Sequence, residues 1–375
     1  MIMTQWLLID LLVLVCVMAL TGIIIPQILL IAFRKNLFDE PDPRKIHKSE
    51  IPRLGGIAFF PSILLVFFLL YGFGILANDE VLIPYLYRNL LPICFISSGA
   101  ILLYLVGMAD DLVGVRYIAK FIVQTLSAVL IIVGGIEMND IHGFLGIVQL
   151  PEVVAIPLTV LLIVFIINAI NLVDGIDGLA SGLSAIACAF YTFVFIKSGY
   201  YLFSALAVAA LGTLIPFFVY NVFGNPQKHR KIFMGDTGAL TIGLFLSVMS
   251  IRICQTDLIS GQYNPAVIAF APLLIPCLDV VRVYLHRIKA HRNPFLPDKT
   301  HIHHKLLALG MRPRMAMMTI IGSSVLVTLA NYFLSGYVEV TVLFACDLAL
   351  WIVANTALTR AIHARERRLS TKLYE

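Results

Sequence analysis

Runs of about 18 or more mainly apolar residues recur from one end of the chain to the other, each long enough to cross roughly 30 Å of hydrocarbon at 1.5 Å per residue. Eleven are read, at about 6–33, 56–77, 90–107, 117–136, 153–170, 178–197, 200–220, 237–254, 265–285, 316–335 and 339–360. A mean hydropathy of +0.93, with 60% hydrophobic and 13% charged residues, exceeds what a soluble core requires. The expected fold class is an all-α integral membrane protein of about eleven transmembrane helices. The first run has no basic residue before it and ends in Arg34-Lys35, the reverse of a cleavable signal's order, so it is expected to stay as a helix. Without repeats, low-complexity tracts or a soluble-domain-sized insertion, residues 1–375 read as one polytopic domain. Six cysteines without CxxC spacing suggest neither disulfides nor a zinc site and read as small buried hydrophobes.

If the runs alternate across the bilayer, the loops of one side hold only Arg88, Lys197 and Arg252 of the 27 lysines and arginines. Basic residues stay cytoplasmic, which puts the N-terminus outside, the C-terminus inside, and requires an odd number of spans. The net charge of +5 is then a topology signal with some attraction to anionic lipid heads, and nucleic acid is not an expected partner.

The remaining polar residues collect on the inner side, in segments 38–56, 107–116, 168–178, 221–238 and 293–309. The outer loops offer only an apolar and polar alternation at 138–150 that reads as a short hairpin. Acids and amides at membrane depth are costly unless they pair, bind ions or line a wet cavity, so the clustering predicts one polar site near the inner interface. Asp110-Asp111 follows the third span. Adjacent carboxylates repel unless a cation or partner neutralises them, and Mg²⁺ suits such hard oxygen ligands; the plain alternative is a solvated pair or a helix cap. In Asn168-Ala-Ile-Asn171-Leu-Val-Asp174-Gly-Ile-Asp177-Gly178, two amides and two carboxylates share one side of a helix end, with glycines for a tight turn. Phe233-Met-Gly-Asp236-Thr-Gly238 opens the eighth span, where free N–H groups and the helix dipole favour phosphate, although Asp236 alone could be an N-cap. His301-Ile-His303-His304 lies among basic residues and reads as phosphate recognition rather than as a transition-metal site. Carboxylates for Mg²⁺, donors for phosphate and amides for a polar head group make an inventory for phosphoryl transfer. No GxxxxGK[ST] loop is present.

These residues resemble the polyprenyl-phosphate N-acetylhexosamine-1-phosphate transferase family, of the glycosyltransferase family 4 type, and within it the bacterial undecaprenyl-phosphate N-acetylglucosamine branch. The likeness spans nearly the whole chain. It rests on Pro43-Arg-Lys45-Ile-His47 with Ile51-Pro-Arg-Leu-Gly-Gly56, on Asp110-Asp111, on the 168–178 and 233–238 motifs, and on His301 to His304. The resemblance implies transfer of a hexosamine-1-phosphate from a UDP-sugar to undecaprenyl phosphate at the inner membrane of a bacterial cell. UMP is released and the product is a lipid diphosphate sugar, the first lipid-linked step of an envelope polysaccharide. Mg²⁺, or Mn²⁺, is the implied cofactor. Asp236 matches a metal ligand, and Asp110 with Asp111 matches a pair that activates the lipid phosphate or helps hold metal. Asn171 is expected beside the metal, while Asn168, Asp174 and Asp177 are expected on the substrate side and Asn221 near the metal. Lys45, His47, Lys120, His301, His303 and His304 match positions that touch phosphates or the donor, and a cationic His303 or His304 would bind the diphosphate. Asp279, inside the ninth span, matches a position read as helix packing. Expected partners are the UDP-N-acetylhexosamine, undecaprenyl phosphate and the bilayer, with a homodimer as the candidate self-association.

Two other readings stand beside this one. The relative acting on UDP-N-acetylmuramoyl-pentapeptide carries three consecutive histidines where this chain has His301-Ile-His303-His304, which favours a small donor here. A transporter would place polar groups at mid-membrane and reach both faces, whereas these crowd the inner ends of helices.

Overall fold

The structure, a computed structural model, describes residues 2–38, 51–255, 263–291 and 300–369. Its helices are α1 (Ile2–Lys35), α2 (Phe59–Leu76), α3 (Leu82–Arg88), α4 (Leu90–Val113), α5 (Tyr117–Val133), α6 (Glu152–Val173), α7 (Leu179–Lys197), α8 (Tyr201–Phe218), α9 (Gly235–Cys254), α10 (Pro265–Phe270), α11 (Leu274–Lys289), α12 (Ile302–Ala308), α13 (Pro313–Leu334) and α14 (Val340–Leu369). Among the described residues, ten helical segments are long and apolar enough to cross a membrane, and each coincides with a run read in the sequence. The protein is an all-α integral membrane protein. The remaining expected crossing, 117–136, is α5, an apolar helix of only 17 residues and roughly 25 Å long at 1.5 Å per residue. It ends at Gly134-Gly135, the second glycine turning left-handed at φ +83°.

The alternation at 138–150 forms the expected short hairpin. Ile141 N–H donates to Val148 O and Leu150 N–H to Asn139 O, each at 2.8 Å. A short apolar helix leads into the hairpin and α6 leads back, so it lies at the far end of the bundle from the residues described below.

Helix α9 is the axis of the fold. Nearly every residue from Thr237 to Cys254 is buried, as in a helix surrounded by others. Its neighbours α4 and α6 come close because glycines stand at the crossings. A Cβ on Gly107 of α4 would lie 2.6 Å from Thr237 Cα, and one on Gly243 of α9 would lie 2.7 Å from Ile167 Cα. Lipid tails are as apolar as leucine, so helix association in a bilayer relies on such close backbone packing. Helix α8 packs between α1 and α7. Beyond its Pro216, which lacks an N–H for the helix ladder, the chain widens into a π turn at Val219–Phe223 that buries Asn221. Cys188 and Cys254 are buried as expected, whereas Cys16, Cys94 and Cys346 lie on outward helix faces.

The α4–α9 crossing yields a direct test. Gly107→Ala is expected to destabilise the protein by about 1–3 kcal/mol through overpacking and to lower its melting temperature in detergent. Gly72→Ala in α2, where a Cβ meets nothing within 4 Å, is expected to be neutral or slightly stabilising. Equal melting curves for the two variants would show that the crossing tolerates a side chain.

Candidate active site

Two sequence motifs are joined first by backbone. Phe233 N–H donates to Pro52 O at 2.9 Å, Gly55 N–H to Phe233 O at 2.9 Å and Gly56 N–H to Met234 O at 2.8 Å. The paired strand-like segments deliver the chain into α9 through Gly235, whose φ of +72° and closeness to Arg53 O leave no room for a side chain.

Asp110 and Asp111 lie in the last turn of α4, which stops at Gly114 with φ +74°. Adjacent residues of a helix point about 100° apart, and the two carboxylates part accordingly. Asp111 accepts from Asp236 N–H (2.7 Å), Thr237 N–H (2.9 Å) and Thr237 Oγ1–H (2.5 Å). It thus caps α9 from a different helix. The anion-favouring start of α9 read in the sequence is real, but the anion at these two amides is the protein's own carboxylate.

Asp110 turns the other way. Its Oδ1 accepts from Val115 N–H at 2.7 Å, while Oδ2 meets Lys120 Nζ at 3.2 Å. The same ammonium reaches Asp236 Oδ2 at 2.8 Å, and Asn171 Nδ2 donates to Asp236 Oδ1 at 3.1 Å. Lys120, in the first turn of α5, is therefore the cation shared by carboxylates from α4 and α9. Among the described residues no three His, Cys, Asp or Glu side chains gather into a preformed metal cage. Two carboxylates with a neighbouring amide oxygen nevertheless fit Mg²⁺, which keeps several waters and takes its other ligands from substrate phosphates.

The turn after α6 forms the next wall. Asp177 pairs with Lys231 Nζ at 2.5 Å. Asn221 Oδ1 accepts from Gly178 N–H at 2.6 Å while its Nδ2 donates to Ile232 O at 2.8 Å. Asn221 is 4% exposed, so it ties the turn to the segment before α9. Asn168 donates to Gln124 Oε1 and to Val164 O, both at 2.7 Å, and links α6 to α5. Asp174 is exposed at the turn, where the surrounding protein and the Asp177 carboxylate push its pKa up against the pull of Arg53.

The histidines form the last wall. His301 Nδ1 lies 2.9 Å from Asp279 Oδ2, and Ile302 N–H donates to the same carboxylate at 3.1 and 3.2 Å. Asp279, expected as a packing residue, is instead the anchor of α12. His303 is 1% exposed and neither ring nitrogen has a hydrogen-bond partner among the described residues. Its ring lies on Gly175, where a Cβ would meet Nε2 at 2.2 Å, and it is 4.2 Å from the His304 ring. Burial, with His304 and His301 adding to it, pushes the His303 imidazole down to about 3. Burial therefore favours the neutral ring at His303 and leaves His304 as the histidine for the cationic reading. Lys45 and His47 lie outside the described residues. Two contacts escaped the sequence reading: the Asp177 partner Lys231, one of several basic residues in its loop, and Asp279 as a support for His301.

The family model described as glycosyl transferase family 4 matches residues 93–254, which contain Asp110, Asp111, Lys120, Asn171 and Asp236. A probable undecaprenyl-phosphate N-acetylglucosaminyl 1-phosphate transferase of Bacillus subtilis is 32% identical over 80% of this chain and 77% of its own. A decaprenyl-phosphate N-acetylglucosaminephosphotransferase of Mycolicibacterium smegmatis is 30% identical over 77% of this chain and 73% of its own. An undecaprenyl-phosphate alpha-N-acetylglucosaminyl 1-phosphate transferase of Pasteurella multocida is 29% identical over 88% of both. With the motifs converged on one site and relatives aligned over most of its length, the chain belongs to glycosyl transferase family 4.

Proposed function

We propose that this enzyme transfers N-acetylglucosamine-1-phosphate from UDP-N-acetylglucosamine to undecaprenyl phosphate, releasing UMP, at the cytoplasmic face of a bacterial inner membrane. The observation that carries the reading is the Lys120 ammonium held between Asp110 and Asp236, one cation shared by two carboxylates at the helix ends. The printed names of the relatives support the donor sugar and the lipid acceptor. Basic residues concentrated beside the site support its cytoplasmic orientation.

In the proposed reaction an oxygen of the lipid phosphate bonds to the donor's β-phosphorus. The bond from that phosphorus to the bridging oxygen breaks, and UMP leaves with that oxygen. Such a transfer needs in-line positioning and neutralised charge more than covalent assistance. Asp236, Asp110 and Asn171 would hold Mg²⁺, which Mn²⁺ can replace, and the ion supplies charge neutralisation on the phosphates. Lys120 contributes a second positive charge at the same carboxylates. A lipid phosphate has a second pKa of about 6, as for other phosphate monoesters, so Asp110 positions charge rather than removing a proton. Asp174 and Asp177, with Lys231, line the donor side, and neutral His303 contributes shape there.

The decisive assay incubates purified protein with undecaprenyl phosphate, Mg²⁺ and a panel of UDP-sugars and reads UMP. Preference for UDP-N-acetylmuramoyl-pentapeptide would overturn the donor assignment, and uptake of labelled substrate by proteoliposomes without UMP would favour a transporter. Asp236→Asn is expected to abolish turnover with membrane insertion intact, because it removes charge but keeps shape; near wild-type UMP release at saturating Mg²⁺ would sink the metal assignment. Asp110→Asn is expected to lower kcat far more than donor affinity, and the reverse pattern would make Asp110 a binding residue.

The depressed His303 pKa predicts a pH dependence of stability. The neutral ring is favoured in the fold, so its contribution is fully present above the unfolded value of 6.5 and is lost as pH falls from there towards 3. Melting temperatures should decline below pH 6.5 with a slope that His303→Gln reduces. An unchanged slope in the variant would place the acid sensitivity elsewhere.

A further inference from the structure

Asp279 lies in the middle of α11 with its side chain 1% exposed, away from the carboxylates that share Lys120. A lone buried acid at this depth is costly unless every lone pair is used. Here Oδ1 accepts from Arg282 Nη2 at 2.8 Å, both oxygens accept from Ile302 N–H, and Oδ2 meets His301 Nδ1 at 2.9 Å. Arg282 also donates to Thr300 O. The bonds to Thr300, His301 and Ile302 draw the start of α12 onto α11, while Arg282 and Asp279 hold each other within α11.

A helix of seven residues has little stability of its own, so its position depends on such anchors. The other end of α12 is held by α14: Lys305 Nζ reaches Thr359 Oγ1 at 3.0 Å and Asn355 Oδ1 at 3.3 Å, and Arg365 donates to Ala308 O at 3.2 Å. Between the two anchors the His303 ring is pressed onto Gly175, the one residue of the turn whose missing side chain makes room for it. Among the described residues neither His303 ring nitrogen has a polar partner that would hold it there. Its place follows from where α12 is fixed.

We propose that Asp279 is a positioning residue: through His301 and the Ile302 amide it seats α12 so that His303 braces the 174–178 turn, fixing Asp174 and Asp177 for the donor. The last clause rests on the donor-side reading given above. The bracing itself does not.

Two measurements on Asp279→Asn separate these. Deuterium exchange of the peptide covering 174–178 in the full-length protein is expected to rise while the melting temperature changes little. The KM for UDP-N-acetylglucosamine is expected to rise roughly tenfold, as for a small displacement of binding groups, with kcat and the KM for undecaprenyl phosphate within about twofold. His301→Gln should reproduce both effects. The double variant should lose no more than either single variant, because coupled residues are non-additive. Unchanged exchange at 174–178, or additive losses in the double variant, would overturn the proposal. Faster exchange at the turn with a shifted KM for the lipid instead of the donor would support the bracing and refute the donor-side reading. If Asp279→Asn does not fold, Gly175→Ala, which pushes the ring away from the opposite side, must show the same rise in donor KM, and its absence would equally overturn the proposal.

Discussion

The carboxylate of Asp111 against the first turn of α9 is the contact on which the rest of the site depends. The first amides of any helix lack intrahelical partners, and those of α9 open inside protein rather than in water. Leaving such a buried donor unmet costs about 1–3 kcal/mol, and Asp111 meets two of them and the Thr237 hydroxyl. Because the cap comes from α4, it also locks two membrane-spanning helices in register. Asp110, one residue earlier, is then aimed at the space before Asp236, and Gly107, one turn earlier, sits at the crossing itself. Cap, crossing and the Lys120-paired carboxylate are consecutive consequences of one stretch of α4.

With that register fixed, the site concentrates negative charge. Asp110 and Asp236 share a single ammonium, and Asp174 stands close enough to Asp236 and Asp111 to feel both. Like charges at such distances persist only where cations balance them. For the proposed transfer, the excess of carboxylates over the Lys120 ammonium would leave a divalent cation to complete the balance as phosphates arrive.

Much of this was legible in the sequence because membrane burial simplifies the code. Ten of the expected spans needed only length and hydropathy, and the five polar segments were conspicuous because polarity is rare in such a chain. Direction was not legible. The spacing of Asn168, Asn171 and Asp174 puts all three near one helix end, but only the fold shows Asn168 spent on Gln124 and Asn171 on Asp236. Asp110-Asp111 carried both a metal reading and a cap reading, and the α4–α9 register decides that Asp111 is the cap. Asp279 looked like packing because its partner His301 is 22 residues away across a loop, and Lys231 was hidden among neighbours of the same charge.

The shortness of α5 bears on how a lipid-borne phosphate could meet the site. Its apolar outer face, with Ile118, Ile122, Leu126 and Val129 exposed, points to hydrocarbon, yet the helix is several ångströms shorter than a typical bilayer core. Such mismatch is relieved by local thinning of the bilayer or by the helix end lying below the plane of the headgroups. Thinning at the inner end of α5 would lower the membrane surface beside Lys120. An acceptor moving laterally in the leaflet would meet a depression at the one place where its charged head is wanted, and would not have to be lifted out of the membrane to react.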